Sequence, residues 1–559
     1  MNGQLQFAGD RIEPGWVVSN LKPHVSMRFK DVFKGIPFGS VPPFFLRDRP
    51  SIAADLDWFM QRYPLSMDRE SEGWLSVQLK AYRDAQARIE EIHSTEYTPP
   101  VLTGFRDGEE PMTYQRRAAD LLRTTGRLLL LDDVGLGKTV SALAAISDGW
   151  GLPAAVVVQP HLSTQWVVQY IERFTHLRAV EIKDRNARQV QVADIYVFRY
   201  SNIAAWVDMI EPMGVRTVIF DEIQELRHGQ ATEKGRAAAS ICSVVENRLG
   251  LTATPIYNYG SEIFNVVEYI APGALGTWGE FLTNWCTSHG THWIVKEPEA
   301  LGAFLQEEGV TLRRTNEDAE VASVLPGLSK TVIEVDWDDG AVQSDRDLQE
   351  KLALQVLSGS FHNRGVAARE LNMMLRHETG VAKARAVAAY IRTLVEGGEP
   401  VLVGAWHREV YDILLDRLAD LRPAMFTGSE SAAAKRRARQ AFIDGDTNIM
   451  LMSLRSGAGI DGLQSRASHV VYAELDWSPQ VHVQFTGRLH RHGQERPVIA
   501  HFLHVNGGSD PAIMSTLGLK ASQSHGILNP YGGQGDATPV DESRIRQLAK
   551  SILEQEARS

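Results

Sequence analysis

The chain has 559 residues, a net charge of −11 (58 Lys+Arg against 69 Asp+Glu), 43% hydrophobic and 23% charged side chains, and two cysteines, Cys242 and Cys286. That length predicts three or four folding units, the composition excludes a disordered chain, and two cysteines are too few for a disulfide framework or a thiolate zinc site. No apolar run approaches the roughly 18 residues of a membrane span and the start lacks the basic and apolar regions of a secretory signal, so a cytoplasmic protein is expected, whose nucleic-acid contacts would need a local basic surface.

Residues 1–97 start irregularly (FGSVPPFF) and then predict two helices, near Ile52 to Tyr63 and Glu72 to His93. Trp58, Tyr63 and Trp74 could stack on bases, but at helical spacing they read as core. A polar break from Ser94 to Pro111 marks a boundary. Beyond it, short apolar runs alternate with helical stretches: 128–131, 154–158, 194–198, 217–220 and 248–251. A second series follows at 401–405, 448–452, 469–473 and 497–503. Such runs are the mark of parallel sheets buried on both faces. The expected fold is α/β, with two parallel-sheet lobes in tandem over 98–325 and 326–510. A small α or α+β unit (1–97) precedes them, and a helical brace or tail (511–559), amphipathic from Arg544 to Glu556, follows.

The sharpest signal is Asp132-Asp133-Val134-Gly135-Leu136-Gly137-Lys138-Thr139, between a predicted strand and a predicted helix. Glycines let backbone N–H groups approach phosphate oxygens, and the helix N-terminus adds a favourable dipole. Lys138 can neutralise β/γ-phosphates and Thr139 can ligate Mg²⁺, so the expected ligands are ATP and magnesium. The strict form of this loop has glycine where Asp132 stands. Asp221 and Glu222 end the predicted strand 217–220, at the sheet edge where ligands bind in open α/β folds. Asp221 would hold Mg²⁺, and Glu222 would orient or deprotonate the attacking water. Arg488 and Arg491 lie three apart, on one face if helical, and could supply a cation to the transferring phosphoryl group.

From about Tyr114 to Leu517 the chain resembles a Swi/Snf-like DNA-dependent ATPase of helicase superfamily two, with its DEAD/DEAH-like, RecA-like core. Asp132 to Thr139 resembles DExGLGKT, and Tyr114-Gln115 is similar to the adenine-reading glutamine motif. Gln159 to Trp166, Leu251 to Ile256 (LTATPI), Leu312 to Thr315 (LRRT) and Leu325-Pro326 resemble further landmarks. The QxxxRxHRxGQ pattern is met by Gln484, Arg488, His490, Arg491, Gly493 and Gln494. The resemblance implies nucleotide contacts from Gln115, Asp133, Gly135, Leu136, Gly137 and Gln484. It also implies that Arg488 and Arg491 reach the γ-phosphate across the lobes, with Arg491 as the finger. Ala473 to Pro479 is similar to the AELxWNP segment of the annealing-helicase branch. Two departures stand out. Gln224 replaces the histidine of DEAH, and the glycines of Ser453 to Leu463 are displaced.

A motor stepping along DNA must grip phosphates rather than bases. Candidate contacts are His161, Ser163, Thr427, Ser453 and Arg455, each of which also reads as a loop side chain or helix cap. Lys435, Arg436, Arg437 and Arg439 read as a solvated face. The expectation is a monomeric ATP-dependent translocase or helicase on duplex or branched DNA, in a bacterial or virus-infected bacterial cytoplasm. A nucleotide-gated DNA-binding scaffold with little turnover and an RNA helicase are the alternatives.

Overall fold

The structure, a computed structural model, describes residues 2–9, 14–33, 36–37, 39–185, 190–253, 262–289, 292–315, 318–322, 325–338, 340, 346–358, 361–454 and 460–514. The chain divides into two compact units. The first comprises Met1–Leu130, Val140–Val158 and Ile171–Leu312; the second comprises Leu131–Thr139, Gln159–Tyr170 and Arg313–Ser559. The phosphate-loop residues therefore group with the second unit, although the strand before them belongs to the first.

In the first unit, β1 (Gln4–Ala8), β2 (Gly15–Ser19) and β3 (Phe44–Arg47) form an antiparallel sheet in that order. Their side chains alternate as a two-residue period demands. Leu5, Trp16, Val18, Phe44 and Leu46 point into a core shared with α1 (Pro23–Val32) and α2 (Pro50–Arg62), while Gln4, Gln6, Phe45 and Arg47 are exposed. The stretch expected to be irregular thus holds three strands, too short for their alternation to stand out, and the unit is α+β. The aromatic reading needs correction at one position. Trp58 is 63% exposed, because α2 buries Ala53, Leu56 and Phe59 and turns Trp58 away from them. Tyr63 packs on Phe59, and Trp74 donates its Nε1–H to Asp48 at 2.9 Å.

Helix α3 (Arg69–His93) is capped by Asp68, which accepts from the Ser71 N–H at 2.7 Å. It is tied to α4 (Thr113–Thr125) by Arg88, which donates to Asp120 at 2.8 Å, and by the Tyr97 hydroxyl on the same carboxylate. The expected boundary at residue 97 falls inside this knot, and residues 1–97 belong to the same compact unit as the sheet that follows.

That sheet has seven parallel strands. β4 (Arg127–Leu130), β5 (Ala154–Val158), β7 (Ile195–Arg199), β8 (Thr217–Asp221) and β9 (Asn247–Leu251) correspond to the five apolar runs. They are joined by the short β6 (Ala179–Glu181) and, after an antiparallel hairpin of β10 (Cys286–His289) and β11 (His292–Val295), by the two-residue β12 (Thr311–Leu312). The order is β12-β4-β9-β8-β5-β7-β6. Every residue of β5 is buried, as covered faces require.

The second unit holds a six-stranded parallel sheet. Its strands are β13 (Leu328–Glu334), β14 (Val401–Ala405), β15 (Ala424–Phe426), β16 (Ile449–Ser453), β17 (His469–Tyr472) and β18 (Val498–His504), in the order β13-β18-β17-β14-β16-β15. On one face Val403, Leu451, Val471 and Leu503 pack against Val387 and Ile391. On the other, Leu402, Met450 and Val470 pack with Phe485 and Leu489, which fasten the arginine-bearing segment to the sheet. Two parallel α/β sheets in tandem after a small α+β unit is the architecture expected from the sequence. The amphipathic stretch from Arg544 to Glu556 lies outside the described residues. Among the described residues no helix is long and apolar enough to cross a membrane.

Candidate nucleotide site

Strand β4 ends at Leu130 and helix α5 (Lys138–Ile146) begins eight residues later, so the intervening loop must turn tightly. Gly135 (φ +95°) and Gly137 (φ +71°) supply the left-handed backbone this takes. At Gly135 a side chain is also excluded by space, since a Cβ would sit 2.3 Å from the His490 carbonyl oxygen and 3.2 Å from the Arg491 Cα. Likewise a Cβ on Gly487 would sit 2.3 Å from Val134 Cγ1. Within the second unit, the loop backbone thus lies directly against the turn that carries Arg488 and Arg491. Lys138 Nζ donates to the carbonyl oxygens of Asp132 (2.8 Å) and Asp133 (3.2 Å), Leu136 is buried, and Thr139 is half-buried.

The departure at Asp132 has a structural reason. Its carboxylate is fully buried and takes three donors from Arg314: the backbone N–H at 2.9 Å, Nε at 2.8 Å, and Nη2 on the other oxygen. Asp133 Oδ1 accepts from Arg313 Nη2 at 2.9 Å, and the Asp133 N–H donates to the Arg314 carbonyl oxygen at 2.9 Å. Two acids of the loop clasp two arginines 180 residues away or more. Restoring the strict loop with Asp132→Gly would remove the buried carboxylate that pairs with the Arg314 guanidinium, at a cost of about 3–5 kcal/mol. Urea unfolding of variant and parent should register that loss. A variant as stable as the parent would deny the clasp its structural role.

Asp221 closes β8, and Glu222 follows in a left-handed conformation (φ +53°, ψ +55°) that costs a non-glycine residue on the order of 1–3 kcal/mol. Glu222 is held there by what comes next. Gln224, 8% exposed, donates Nε2–H to Glu222 Oε2 at 2.6 Å. It sits in the 3₁₀ turn Ile223–Leu226, whose Ile223 and Leu226 are fully buried. Ile223 packs over Gly250 of β9, where a Cβ would approach its Cδ1 to 2.8 Å. Beneath the acids the Tyr200 hydroxyl donates to the Asp221 carbonyl oxygen at 3.0 Å. Burial first, then the charges of Asp221, Glu225 and Glu222, push its pKa well up, so it stays a donor. Between β4 and β8 lies β9, and the Thr252 N–H after it donates to the Leu130 carbonyl oxygen at 3.1 Å. One sheet edge therefore carries the acids, Thr252 and the end of β4, from which the chain continues into the phosphate loop.

Helix Pro479–Thr486 leads into the arginine turn. Gln484 and Arg488 are half-buried. His490 bonds through Nε2 to the Pro326 carbonyl oxygen at 2.8 Å, and Gln494 donates to the carbonyl oxygen of Ala467 at 2.8 Å, so these two pattern residues build the turn. Arg491 Nε donates to the Gly487 carbonyl oxygen at 2.8 Å, and its Nη1 lies 3.3 Å from the Ile460 carbonyl oxygen and from Asp461 Oδ1. Burial raises the Asp461 pKa, but Arg491, Gln464 and the Gly462 N–H together outweigh it and hold the carboxyl below its ordinary range. Asp461 is a partner that the displaced glycines had hidden.

The remaining candidates are scattered. Gln115 is buried and its Oε1 accepts from the Met112 N–H at 2.9 Å, capping α4. Ser163 and Thr427 are buried, the first donating to the Pro160 carbonyl oxygen at 3.0 Å and the second to Glu430 Oε1 at 3.1 Å. Both hydroxyls, as placed, serve their own turns. His161 is exposed and Ser453 half-buried at the end of β16. Arg455, Thr254 and residues 456–459 lie outside the described residues.

The donor set suits a magnesium nucleotide. Backbone N–H groups at left-handed glycines and one ammonium are groups that bind anions, while the Thr139 hydroxyl and the Asp221 carboxylate, each in its own compact unit, are hard oxygen donors of the kind magnesium takes.

The SNF2-related domain family matches residues 56–395, and the helicase conserved C-terminal domain matches residues 382–493. The DNA annealing helicase and endonuclease ZRANB3 of Mus musculus is 26% identical over 449 residues, which is 76% of this chain and 41% of that protein. The SWI/SNF-related matrix-associated actin-dependent regulator of chromatin subfamily A-like protein 1 of Xenopus tropicalis is 24% identical over 494 residues, 81% of this chain and 51% of that protein. The chain thus spans about half, or less, of the length of these relatives. The Sulfolobus solfataricus SWI2/SNF2 ATPase core in complex with dsDNA aligns at 20% identity and a TM-score of 0.38, over 82% of this chain and 98% of that one. With the first domain family taking in more than half of its residues, the chain belongs to the SNF2-related, Swi/Snf-like family of helicase superfamily two.

Proposed function

We propose that the protein hydrolyses ATP to ADP and phosphate and uses that reaction to track along duplex DNA, remodelling bound protein or branched DNA. The observation that carries this reading is that β4 and β8 lie in one parallel sheet, where β8 ends in Asp221 with Glu222 next and the chain runs directly from β4 into Asp132 to Thr139. In this scheme the loop N–H groups and Lys138 bind the phosphates. Thr139 and Asp221 hold magnesium, which when bound withdraws charge from the phosphate oxygens. Glu222 orients the attacking water and receives its proton. Arg491, with Arg488 beside it, stabilises the charge that develops on the transferring group. Sequence-independent contacts from His161, Ser453 and Arg455 would suit a motor that must not stall on particular bases.

The test is ATP turnover without nucleic acid and with single-stranded DNA, duplex DNA or RNA, in parallel. Duplex DNA should raise the rate well above every other arm. A robust basal rate that DNA leaves unchanged would overturn the motor. Nucleotide-dependent DNA binding with negligible turnover would indicate a scaffold, and strongest stimulation by RNA an RNA helicase.

A further inference from the structure

We infer that Gln224 is the residue that positions the Glu222 carboxylate for water activation, replacing a titratable histidine with a neutral amide that does not change charge with pH. This rests on Glu222 acting as proposed above. Three observations carry it. Glu222 leaves β8 in a left-handed backbone conformation, which aims its side chain but does not fix its outer torsions. Gln224 Nε2 reaches Glu222 Oε2 at 2.6 Å and fixes them. Gln224 Oε1, by contrast, is buried and has no hydrogen-bond partner among the described residues.

The unpartnered oxygen is the informative part. A carboxylate only accepts hydrogen bonds, so the amide must turn its N–H₂ end towards Glu222 whatever that leaves for its own oxygen. The turn tolerates a buried acceptor without a donor, a costly arrangement, and the bond it keeps in exchange is the one to the acid. The turn itself cannot yield easily. Ile223 and Leu226 are fully buried, the Gln224 carbonyl oxygen accepts from Arg227 Nη1 at 3.2 Å, and the Arg227 carbonyl oxygen accepts from Asn265 Nδ2 at 2.7 Å. The amide is thus anchored from behind and directed at one carboxylate oxygen, leaving the other oxygen, Oε1, for water. Gln224 touches Glu222 and acts through it, and misplacing such an acid by an ångström costs about 100-fold in rate.

Single-turnover ATP cleavage by the full chain with duplex DNA, together with fluorescent-nucleotide affinity, tests this. Gln224→Ala should slow cleavage by roughly 10- to 100-fold and leave nucleotide affinity within about twofold, because Lys138 and the loop are untouched. Gln224→His, which can still donate, should recover most of the rate. Gln224→Glu, of the same length but facing carboxylate with carboxylate, should be at least as slow as Gln224→Ala. The double variant Glu222→Gln/Gln224→Ala should be no slower than Glu222→Gln alone, since a positioning residue has nothing left to position. Multiplying losses in the double variant, or wild-type cleavage by Gln224→Ala, would overturn the inference while leaving Glu222 in its role. Wild-type cleavage by Glu222→Gln would instead remove the role of Glu222, and that outcome is distinguishable from the other two.

Discussion

Arg491→Ala is expected to slow ATP cleavage by about 10³-fold or more in single-turnover assays with duplex DNA, within the range of 10³–10⁵ that an arginine finger contributes. The guanidinium is already committed to a fixed place. Its Nε is held by the Gly487 carbonyl oxygen, and its Nη1 lies between the Ile460 carbonyl oxygen and Asp461. Its backbone lies against Gly135, where not even a Cβ could intervene. A cation so placed needs only to exchange an aspartate for a phosphate. Arg491 is the finger in the scheme proposed above and Arg488 its neighbour three residues earlier, so Arg488→Ala should cost less than Arg491→Ala. Arg491→Lys should not rescue, because an ammonium cannot span Gly487, Ile460 and Asp461 with one planar fork. Nucleotide affinity should change little, since the interaction strengthens only as charge develops. Equal rates for Arg491→Ala and parent would refute the assignment, and a dead Arg488→Ala beside an active Arg491→Ala would transfer the role to Arg488.

The chemistry that was legible in the sequence is the chemistry held in short contiguous stretches. Asp132 to Thr139 declares itself because its strand, glycines, lysine and helix are neighbours in the chain. Asp221 and Glu222 do so because they end an apolar run. The same logic found the strands buried on both faces, such as β5 (AAVVV) and β14 (VLVGA), which hold no polar side chain and are buried at every position. It missed β13, nearly all of which is exposed at a sheet edge, so that its sequence, LSKTVIE, carries neither an apolar run nor a two-residue alternation. It also missed β12, whose two residues carry no period at all. What stayed hidden at the site is tertiary. Asp132 looks like a defect in a glycine loop until Arg314, 182 residues on, is seen on its carboxylate. Asp461 could not be paired with Arg491 from spacing alone, and Gln224 looked like a lost histidine until its amide was found on Glu222. Trp58 shows the opposite failure. Helical spacing suggested burial, but only the packing of α2 decides which side of the helix faces the core.

Lys138→Ala should reduce kcat/KM for ATP by roughly 10³-fold and leave the fold as stable as the parent, a combination that separates it from every structural change in the same loop. Its ammonium donates to the carbonyl oxygens of Asp132 and Asp133, and the residue is half-buried. Those carbonyls are good acceptors but weak competitors for a cation beside a polyphosphate, whose several negative charges attract an ammonium far more strongly at the same distance. An ammonium held by carbonyl oxygens can exchange them for phosphate oxygens at little cost. Losing it removes ground-state binding and transition-state stabilisation together, so KM should rise as kcat falls. Lys138→Arg should not restore the rate, because a planar fork is bulkier and less adaptable than the compact ammonium it would replace. Asp132→Gly provides the contrast, since there the loss is in unfolding free energy. If Lys138→Ala destabilised the chain as much as Asp132→Gly does, Lys138 would be a structural member of the loop. If it cleaved ATP at the parent rate, the loop would not be where phosphate binds.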